Sequence, residues 1–396
     1  MLLIIYCVKH DNVIKRSKHL ESVLGKYTSV KISSILTKSK VKYAIESLKL
    51  LLQIYKEKPS EIVLIEPWYM FPLVELLIPK IKTKLVYLSG NINYDIFNKL
   101  GEKKIFIKLF TYLETTIIRH ATVIISDSFS LIEFFRCQNS EAKIYYVPEY
   151  IGDYFSKFYI QKTEHRTQIK KFTIGYLSSI HLENVFGTLV PRGWEMILVG
   201  KKLVALGVPD FKILIIGDGI GLESLRAMVH KASLDDYFSF EGYVEESRKD
   251  ELLGLCDVAY SEDYESYLTH RFNLSSKIEE YMLSGIPIVT GKQGDKSIII
   301  EQEKRRCGIC IDPLNDRDPL SSISYINNLT NAILKLTKDK VMLSNLKYNC
   351  MIESNSRFSK LAVEELLNNV FLELLTGNSS KEYEQEMVKR KKTKNA

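Results

Sequence analysis

Short apolar runs that alternate with helix-length segments limit the folds open to this sequence. In the first 150 residues such runs recur at residues 2–7, 30–33, 62–65, 85–88, 123–125 and 144–147. Each run has the length and the branched side chains of a buried strand, and amphipathic segments such as residues 43–55 and 106–118 lie between them. This alternation predicts βαβ units with right-handed crossovers around a parallel sheet.

The alternation stops once and then restarts, which predicts two domains. Residues 153–170 are polar and lack a helical or strand period, so they are predicted to be a linker. New strands are predicted at residues 172–176, 212–216, 238–243, 258–260 and 286–289. The predicted fold class is α/β, with two Rossmann-like doubly wound domains, residues 1–152 and 171–356, facing a cleft.

The C-terminal part of the chain changes character. Residues 322–375 are helical in pattern. We expect a C-terminal helix at residues 357–377 to pack back toward the N-terminal domain. The basic tail, residues 378–396, is predicted to be disordered.

The composition narrows the class of protein. Hydrophobic residues make up 45% of the 396 and charged residues 26%, so the chain can fold around a core. Six cysteines in a chain of this length do not form a disulfide scaffold and fit a reducing compartment. No apolar run approaches the roughly 20 residues of a membrane span. We therefore expect a cytoplasmic protein.

The net charge of +7 is concentrated in the first half of the chain. This surplus indicates either an anionic partner or an ordinary solvated surface. Lys99, Lys103, Lys104 and Lys108 cluster before and within the amphipathic residues 105–113, IFIKLFTYL. That stretch is predicted either to lie on an anionic membrane or to be a core-facing helix with a solvated side.

The most informative segment is SSKIEEYMLSGIPIV at residues 275–289. A serine pair precedes a short predicted helix, and Lys277 lies in its first turn, where a cation is unfavourable unless an anion is bound. Glu280 follows one turn later on the same face. The pair is either a diphosphate cation with a diol carboxylate, or a surface ion pair. The adjacent Glu279 is predicted to face solvent or the domain surface.

A glycine-rich turn offers a second candidate site. GDGIG at residues 217–221 follows a predicted strand and opens a helix, where small residues would let a phosphate or sugar approach the backbone. The spacing differs from that of dinucleotide-binding and P-loop motifs, which argues against both. His10 follows the first strand, at the edge where doubly wound folds bind ligands, and is either a catalytic candidate or an ordinary loop histidine.

These segments together resemble the retaining glycosyltransferases of the glycogen-synthase-like, "group 1" family. SSKIEEYMLSGIPIV is similar to the family's nucleotide-sugar signature, and ILIIGDGIGLESLRAMV to its strand-GDG-helix. FSFEGYVEESRKDELLGLCDVAYSEDYES, GICIDPLND and, in the first half, LETTIIRHATVIISDS resemble further family motifs. The resemblance implies a GT-B fold with the donor in the C-terminal half and the acceptor in the N-terminal half.

The resemblance also implies residue roles. Glu280 would hold the donor ribose, Lys277 and Arg192 would face the diphosphate, and Tyr243 with Val244 would border the base. The remaining donor-side candidates are Gly217, Asp218, Gly219, Arg271 and Ser276. The acceptor-side candidates are His10, Ser89, Gly90 and Asn91.

Two positions depart from the family pattern. Phe272 stands where the family has a glutamate, and Glu262 or Glu265 could replace that carboxylate. Tyr176 stands where the family has an arginine, and Arg271 or Arg192 could replace that cation.

The predicted function is transfer of a sugar, with retention, from a nucleoside-diphosphate sugar to a glycan or lipid-linked acceptor. No cofactor and no metal are predicted. Such a mechanism would ask for no catalytic base from the enzyme, only stabilisation of the leaving group by cations. Two alternatives remain: a GT-B nucleotide-sugar epimerase, and a non-catalytic protein that binds nucleotide sugars or nucleic acid.

Overall fold

The chain forms two compact units. The computed structural model describes residues 1–6, 11–34, 40–65, 83–89, 104–148, 171–208, 210–265, 272, 274–302 and 305–376. Among these, the first unit contains residues 1–127, 132–148 and 360–376, and the second contains residues 128–131 and 171–359. The predicted linker and tail lie outside the described residues.

The first unit is built on a parallel six-stranded sheet. Its strands are β1 (Leu2–Tyr6), β2 (Val30–Ser34), β3 (Glu61–Ile65), β4 (Lys84–Leu88), β5 (Val123–Ser126) and β6 (Lys143–Tyr146). They run in the order β2-β1-β3-β4-β5-β6. Every residue of β3 is buried, as expected for a strand with elements on both faces. Each of the six strands was predicted from its apolar run.

Helices complete the first unit. They are α1 (Asp11–Leu24), α2 (Lys40–Glu57), α3 (Lys104–His120), α4 (Phe129–Gln138), whose first three residues belong to the second unit, and, from the end of the chain, α12 (Lys360–Thr376). The last of these contacts α1. Lys143 Nζ lies 2.6 Å from Glu373 Oε1, and Lys84 Nζ donates to the carbonyl oxygen of Leu374 at 2.8 Å. These contacts tie α12 to the sheet of the first unit.

The second unit contains another parallel six-stranded sheet. Its strands are β7 (Phe172–Leu177), β10 (Phe211–Ile216), β11 (Phe238–Gly242), β12 (Val258–Ser261), β13 (Ile288–Gly291) and β14 (Gly308–Ile311). They run in the order β11-β10-β7-β12-β13-β14. The helices are α5 (Trp194–Ala205), α6 (Leu222–Lys231), α7 (Glu246–Leu253), α8 (Ser276–Leu283), α9 (Asp295–Ile300), α10 (Ser321–Lys338) and α11 (Lys340–Arg357). The prediction of two Rossmann-like domains and a helical C-terminal segment is confirmed.

A hairpin that the sequence analysis did not predict lies between β7 and α5. Its strands, β8 (Leu182–Val185) and β9 (Thr188–Pro191), pair antiparallel. Phe186 and Gly187 both have positive φ, 54° and 77°, as a two-residue turn between twisted strands requires. Phe-Gly is an uncommon turn pair, so the signal was weak.

The carboxyl ends of the second sheet meet at one edge, because all of its strands are parallel. Ser178 follows β7, Gly217 follows β10, Tyr243 follows β11 and Glu262 follows β12. Ligands of doubly wound folds bind at this edge.

The GDGIG turn packs closely against the segment after β7. Gly217 has φ 133° and Gly219 has φ 150°; a Cβ atom would collide with the carbonyl oxygen of Ser178 at the first and of Ile180 at the second. The amide of Gly221 also donates to Ile180 O at 2.8 Å. These glycines are therefore required by the approach of two chain segments.

No described helix is long and apolar enough to cross a bilayer.

Gly217→Ala is expected to destabilise the second unit by at least about 3 kcal/mol, from a strained φ and a collision with Ser178. Gly207→Ala is the matched control, because Gly207 also has positive φ, 64°, but its Cβ would meet nothing within 4 Å. It should cost only about 1–2 kcal/mol. Urea unfolding followed by circular dichroism measures both, and equal midpoints for the two variants would refute the packing argument.

Candidate functional site

Two partly buried cations share one carboxylate at the carboxyl edge of the second sheet. Lys277, in the first turn of α8, donates from Nζ to both carboxylate oxygens of Glu262, at 2.6 and 2.7 Å. Arg192, at the end of the hairpin, places Nε 3.6 Å from Glu262 Oε1. Glu262 directly follows β12, and its side chain is only 2% exposed. The structure thus brings together Lys277 and Arg192, which lie 85 positions apart in the sequence.

A second carboxylate holds Arg192 from the other side. Arg192 Nε donates to Glu183 Oε1 at 2.9 Å, and its Nη2 contacts the same oxygen. Glu183 lies on β8 and is buried, so the hairpin delivers a carboxylate into the site. The guanidinium also approaches the segment after β7, since Nη1 of Arg192 lies 3.5 Å from Ser178 Oγ.

Burial and charge act against each other in this cluster. Burial lowers the pKa of Lys277, the charge of Arg192 adds to that effect, and Glu262 opposes it. Burial also disfavours the charge of Arg192, but Glu262 and Glu183 outweigh it and raise the pKa of the guanidinium. The pKa of Glu183 is raised because burial outweighs the stabilising charge of Arg192. The carboxylates therefore permit two cations to persist out of water.

Tyr176, on β7, lies beneath Lys277. Its ring is buried, stacks on Tyr260 at 5.7 Å between centroids, and lies 5.4 Å below Lys277 Nζ. Gly193, with φ 90°, leaves room for the ring, since a Cβ there would come within 2.8 Å of it. Tyr176 thus supports the cation of Lys277 through its ring face.

Glu280 lies one turn after Lys277 on α8 and pairs with a neighbouring helix. Its Oε2 is 3.1 Å from Nζ of Lys249 on α7. The alternative prediction, a surface ion pair between Lys277 and Glu280, is not supported, because Lys277 is directed to Glu262. Both side chains are mostly buried.

The prediction that Glu279 faces solvent or the domain surface is wrong. Glu279 is 2% exposed. Helix α8 lies between the sheet and α11, so a position rotated by about 100° from Glu280 is still covered.

The other described donor-side candidates lie just after strands of the same sheet or at the start of α8. Tyr243 is 77% exposed beyond β11, and Val244 is half-buried. Asp218 accepts from the amide of Gly219 at 2.6 Å. Ser276 is exposed at the first residue of α8, and the preceding Ser275 makes no side-chain cap.

The structure describes only some of the remaining predicted residues. His10, Gly90, Asn91 and Arg271 lie outside the described residues, as do Lys99 and Lys103. Ser89 is buried at the end of β4, where its amide donates to Ile125 O at 3.0 Å. The carbonyl oxygen of Phe272 accepts from Ser128 Oγ. Glu265 is exposed, whereas Glu262 is buried with the cations.

Sequence reasoning missed a buried carboxyl behind the cluster. Glu195, in the first turn of α5, is fully buried and accepts from Tyr264 Oη at 2.5 Å. Burial raises its pKa to about 7, although the Tyr264 hydrogen bond opposes the shift. An acidic residue in a first helical turn is common on protein surfaces, so the sequence carries no signal of its burial.

A separate buried pair lies at the end of β12. Lys296 Nζ is 2.8 Å from Asp263 Oδ1, and Gln293 Nε2 donates to the same oxygen at 2.8 Å. Both charged side chains are inaccessible to solvent. Within the described residues, no group of acidic, histidine and cysteine side chains has the geometry of a metal site.

The architecture of two parallel six-stranded Rossmann-like sheets is that of the GT-B fold. The chain is similar to sucrose-phosphate synthase from Thermosynechococcus elongatus, with a TM-score of 0.68, 12% identity, and coverage of 96% of this chain and 100% of that one. It is also similar to Anabaena HepE solved with UDP and glucose, with a TM-score of 0.62, 14% identity, and the same coverage.

A third similar structure is longer than this chain. The chain matches Staphylococcus aureus TarM, solved with UDP and alpha-GlcNAc-glycerol among its ligands, with a TM-score of 0.56 and 16% identity, over 82% of its own length and 59% of TarM's. No protein-family model and no curated protein sequence matches the chain. The structural likeness confirms the GT-B fold.

Glu195 is expected to make stability fall as pH rises. Below about pH 4.5 the carboxyl is protonated in both the folded and unfolded states. Between pH 4.5 and 7 the unfolded chain releases the proton and the folded one keeps it, so the free energy of unfolding drops, by about 3 kcal/mol in total. Glu195→Gln removes this dependence, because glutamine is neutral at every pH and still accepts from Tyr264.

Urea unfolding at pH 5 and pH 8 measures the difference. The Gln variant should gain stability relative to the wild type on going from pH 5 to pH 8. A wild-type-to-variant difference that is the same at both pH values would contradict the buried, protonated carboxyl.

Proposed function

We propose that the chain is a glycosyltransferase that moves a sugar, with retention, from a nucleoside-diphosphate-sugar donor to a glycan or lipid-linked acceptor. The observation that carries the proposal is the convergence of Arg192 and Lys277 on Glu262 at the carboxyl edge of the second sheet. Removing two cations from most of their contact with water costs free energy. Such burial is typical of sites where an anion is bound or formed.

The departing group of this reaction is such an anion. When the bond between the sugar and the diphosphate breaks, negative charge develops on the diphosphate, and nearby cations stabilise that charge. Arg192 and Lys277 would take this role. Each lies within 3.6 Å of the same carboxylate oxygen, so they are close enough to face two neighbouring phosphates.

The remaining donor contacts are proposed for the other residues that the family resemblance implies. Glu280 would accept hydrogen bonds from the ribose hydroxyls, one helical turn from Lys277, and Ser276 and Arg271 would lie on the phosphate side. Gly217, Asp218 and Gly219 would line the donor site, and the exposed Tyr243, with Val244, would border the base. That HepE binds UDP and glucose in a similar fold supports this proposal.

Glu262 has a different role from the missing family carboxylate at position 272. Its side chain accepts both contacts from Lys277 and is covered, so we infer that it orients the cations and does not contact the sugar. On the acceptor side, His10, Ser89, Gly90 and Asn91 are the proposed contacts. In a front-face reaction the acceptor hydroxyl would pass its proton to the departing diphosphate oxygen, and the enzyme would supply positioning and charge.

A panel of nucleoside-diphosphate sugars tests the function. Slow hydrolysis of one donor, followed by nuclear magnetic resonance, should release a sugar of unchanged anomeric configuration. Inversion at the anomeric carbon would contradict retention. Conversion of the donor to another nucleotide sugar without hydrolysis or transfer would favour the epimerase alternative.

Lys277→Met is expected to weaken nucleoside-diphosphate binding by about 10- to 100-fold, because a charge-assisted contact of about 1.5–3 kcal/mol is lost. The double variant Lys277→Met/Glu262→Gln also neutralises the buried carboxylate that Lys277 contacts, and it should show the same loss. Lys201→Met, at an exposed position on α5, is the control. Calorimetric affinities equal to wild type for both Lys277 variants would assign Lys277 a structural role only.

Glu280→Ala is expected to lower transferase activity by at least about 100-fold, through loss of two charge-assisted contacts worth about 3 kcal/mol. Lys249→Met is the matched control, since it breaks the same ion pair but leaves the carboxylate. It should change activity less than about threefold. If the two variants lose activity equally, Glu280 contributes to activity through its ion pair with Lys249, and its proposed contact with the ribose is wrong.

A further inference from the structure

Helix α2 of the first unit has a second apolar face that points outward. Ile45, Leu48, Leu52 and Tyr55 are 49%, 56%, 67% and 72% exposed. Their spacing of three, four and three residues keeps them on one line of the helix. The core is contacted from the opposite side of α2, where Leu50 and Ile54 are buried. Single exposed apolar residues are ordinary, but an aligned stripe of four marks an interaction surface.

Two lysines lie along one side of the stripe. Lys49 and Lys56 are both exposed and lie within about 60° of Ile45 around the helix. Lys49 also pairs with Glu46 at 2.9 Å, and its side chain remains 66% exposed. The stripe therefore has a positively charged border along one of its two edges.

A second helix, α3, lies on the same face of the sheet as α2. The chain moves in one direction across the sheet from β2 to β3 and from β4 to β5, and in the opposite direction from β1 to β2. Right-handed crossovers then place α2 and α3 on one face and α1 on the other. At the start of α3, Ile105 is 72% exposed. It follows the exposed Lys104 and lies within one turn of the exposed Lys108.

We propose that this face, formed by the outward stripe of α2 and the first turns of α3, docks on an anionic lipid bilayer. Charge complementarity carries the choice of partner. The positive surplus of the chain lies in this half, and lysines border the apolar side chains on both helices. A second copy of the chain would bring lysines against lysines. Apolar side chains with a lysine border and an interfacial tyrosine, Tyr55, suit the boundary between lipid headgroups and acyl chains.

Vesicle sedimentation tests the proposal with the full chain and does not depend on its enzymatic activity. Vesicles of phosphatidylglycerol and phosphatidylcholine supply the anionic surface, and vesicles of phosphatidylcholine alone supply the neutral one. Three variants address the face: Leu48→Gln/Leu52→Gln, Lys49→Glu/Lys56→Glu and Lys104→Glu/Lys108→Glu. The matched control, Lys18→Glu/Lys26→Glu, makes the same charge change at exposed positions on α1 and the turn after it.

The wild type should bind anionic vesicles at least tenfold more tightly than neutral ones, and each face variant should weaken that binding at least fivefold. The control should stay within twofold of the wild type, and unchanged circular dichroism and urea midpoints should show that every variant is folded. Equal binding by the face variants and the control would overturn the proposal. So would a wild-type dimer in sedimentation velocity that Leu48→Gln/Leu52→Gln dissociates, because a second copy would then be the occupant.

Discussion

The candidate site depends on the contacts that the Glu262 carboxylate makes with two cations. This carboxylate accepts both contacts from Lys277 and lies 3.6 Å from Arg192, so it fixes two cations at the carboxyl edge of the second sheet. Without it, two positive charges would be buried side by side, and burial already lowers the pKa of Lys277. Glu183 completes the arrangement by holding Arg192 from the hairpin. The two carboxylates together thus compensate the charges of Lys277 and Arg192.

Each member of this cluster reaches its place through an ordinary feature of a doubly wound fold. Glu262 follows a central strand, Lys277 lies in the first turn of the helix before the next strand, and Arg192 ends the hairpin that leads into α5. Tyr176, on the strand beside β12, provides the ring beneath Lys277. Parallel strands bring these positions to a common edge although they are distant in sequence. The proposed transferase function follows from what this edge presents, two cations and a neighbouring carboxylate, Glu280.

The sequence predicted the positions of the strands and helices better than the contacts and burial of their side chains. The apolar runs identified all six strands of the first sheet, because buried parallel strands carry their signal in their own residues. The segment around Lys277 and Glu280 predicted a short helix, which the structure has as α8. By contrast, Glu279 is buried on a helix that packs against both the sheet and α11, some 60 residues later, and no local pattern reports such packing. The sequence did not identify Glu183, because Glu183 contacts Arg192 only once the hairpin has formed. Charged contacts set by tertiary packing are invisible to periodicity.

The most direct test of the central claim is calorimetric titration of the wild-type protein with uridine, guanosine and adenosine, each as the nucleoside, the monophosphate and the diphosphate. If Arg192 and Lys277 bind a diphosphate, one of the three diphosphates should bind at least about 100-fold more tightly than its nucleoside, with affinity falling as salt is added. Affinities that are equal across the nucleoside, monophosphate and diphosphate of every base would contradict the account, since the two partly buried cations would then bind no phosphate.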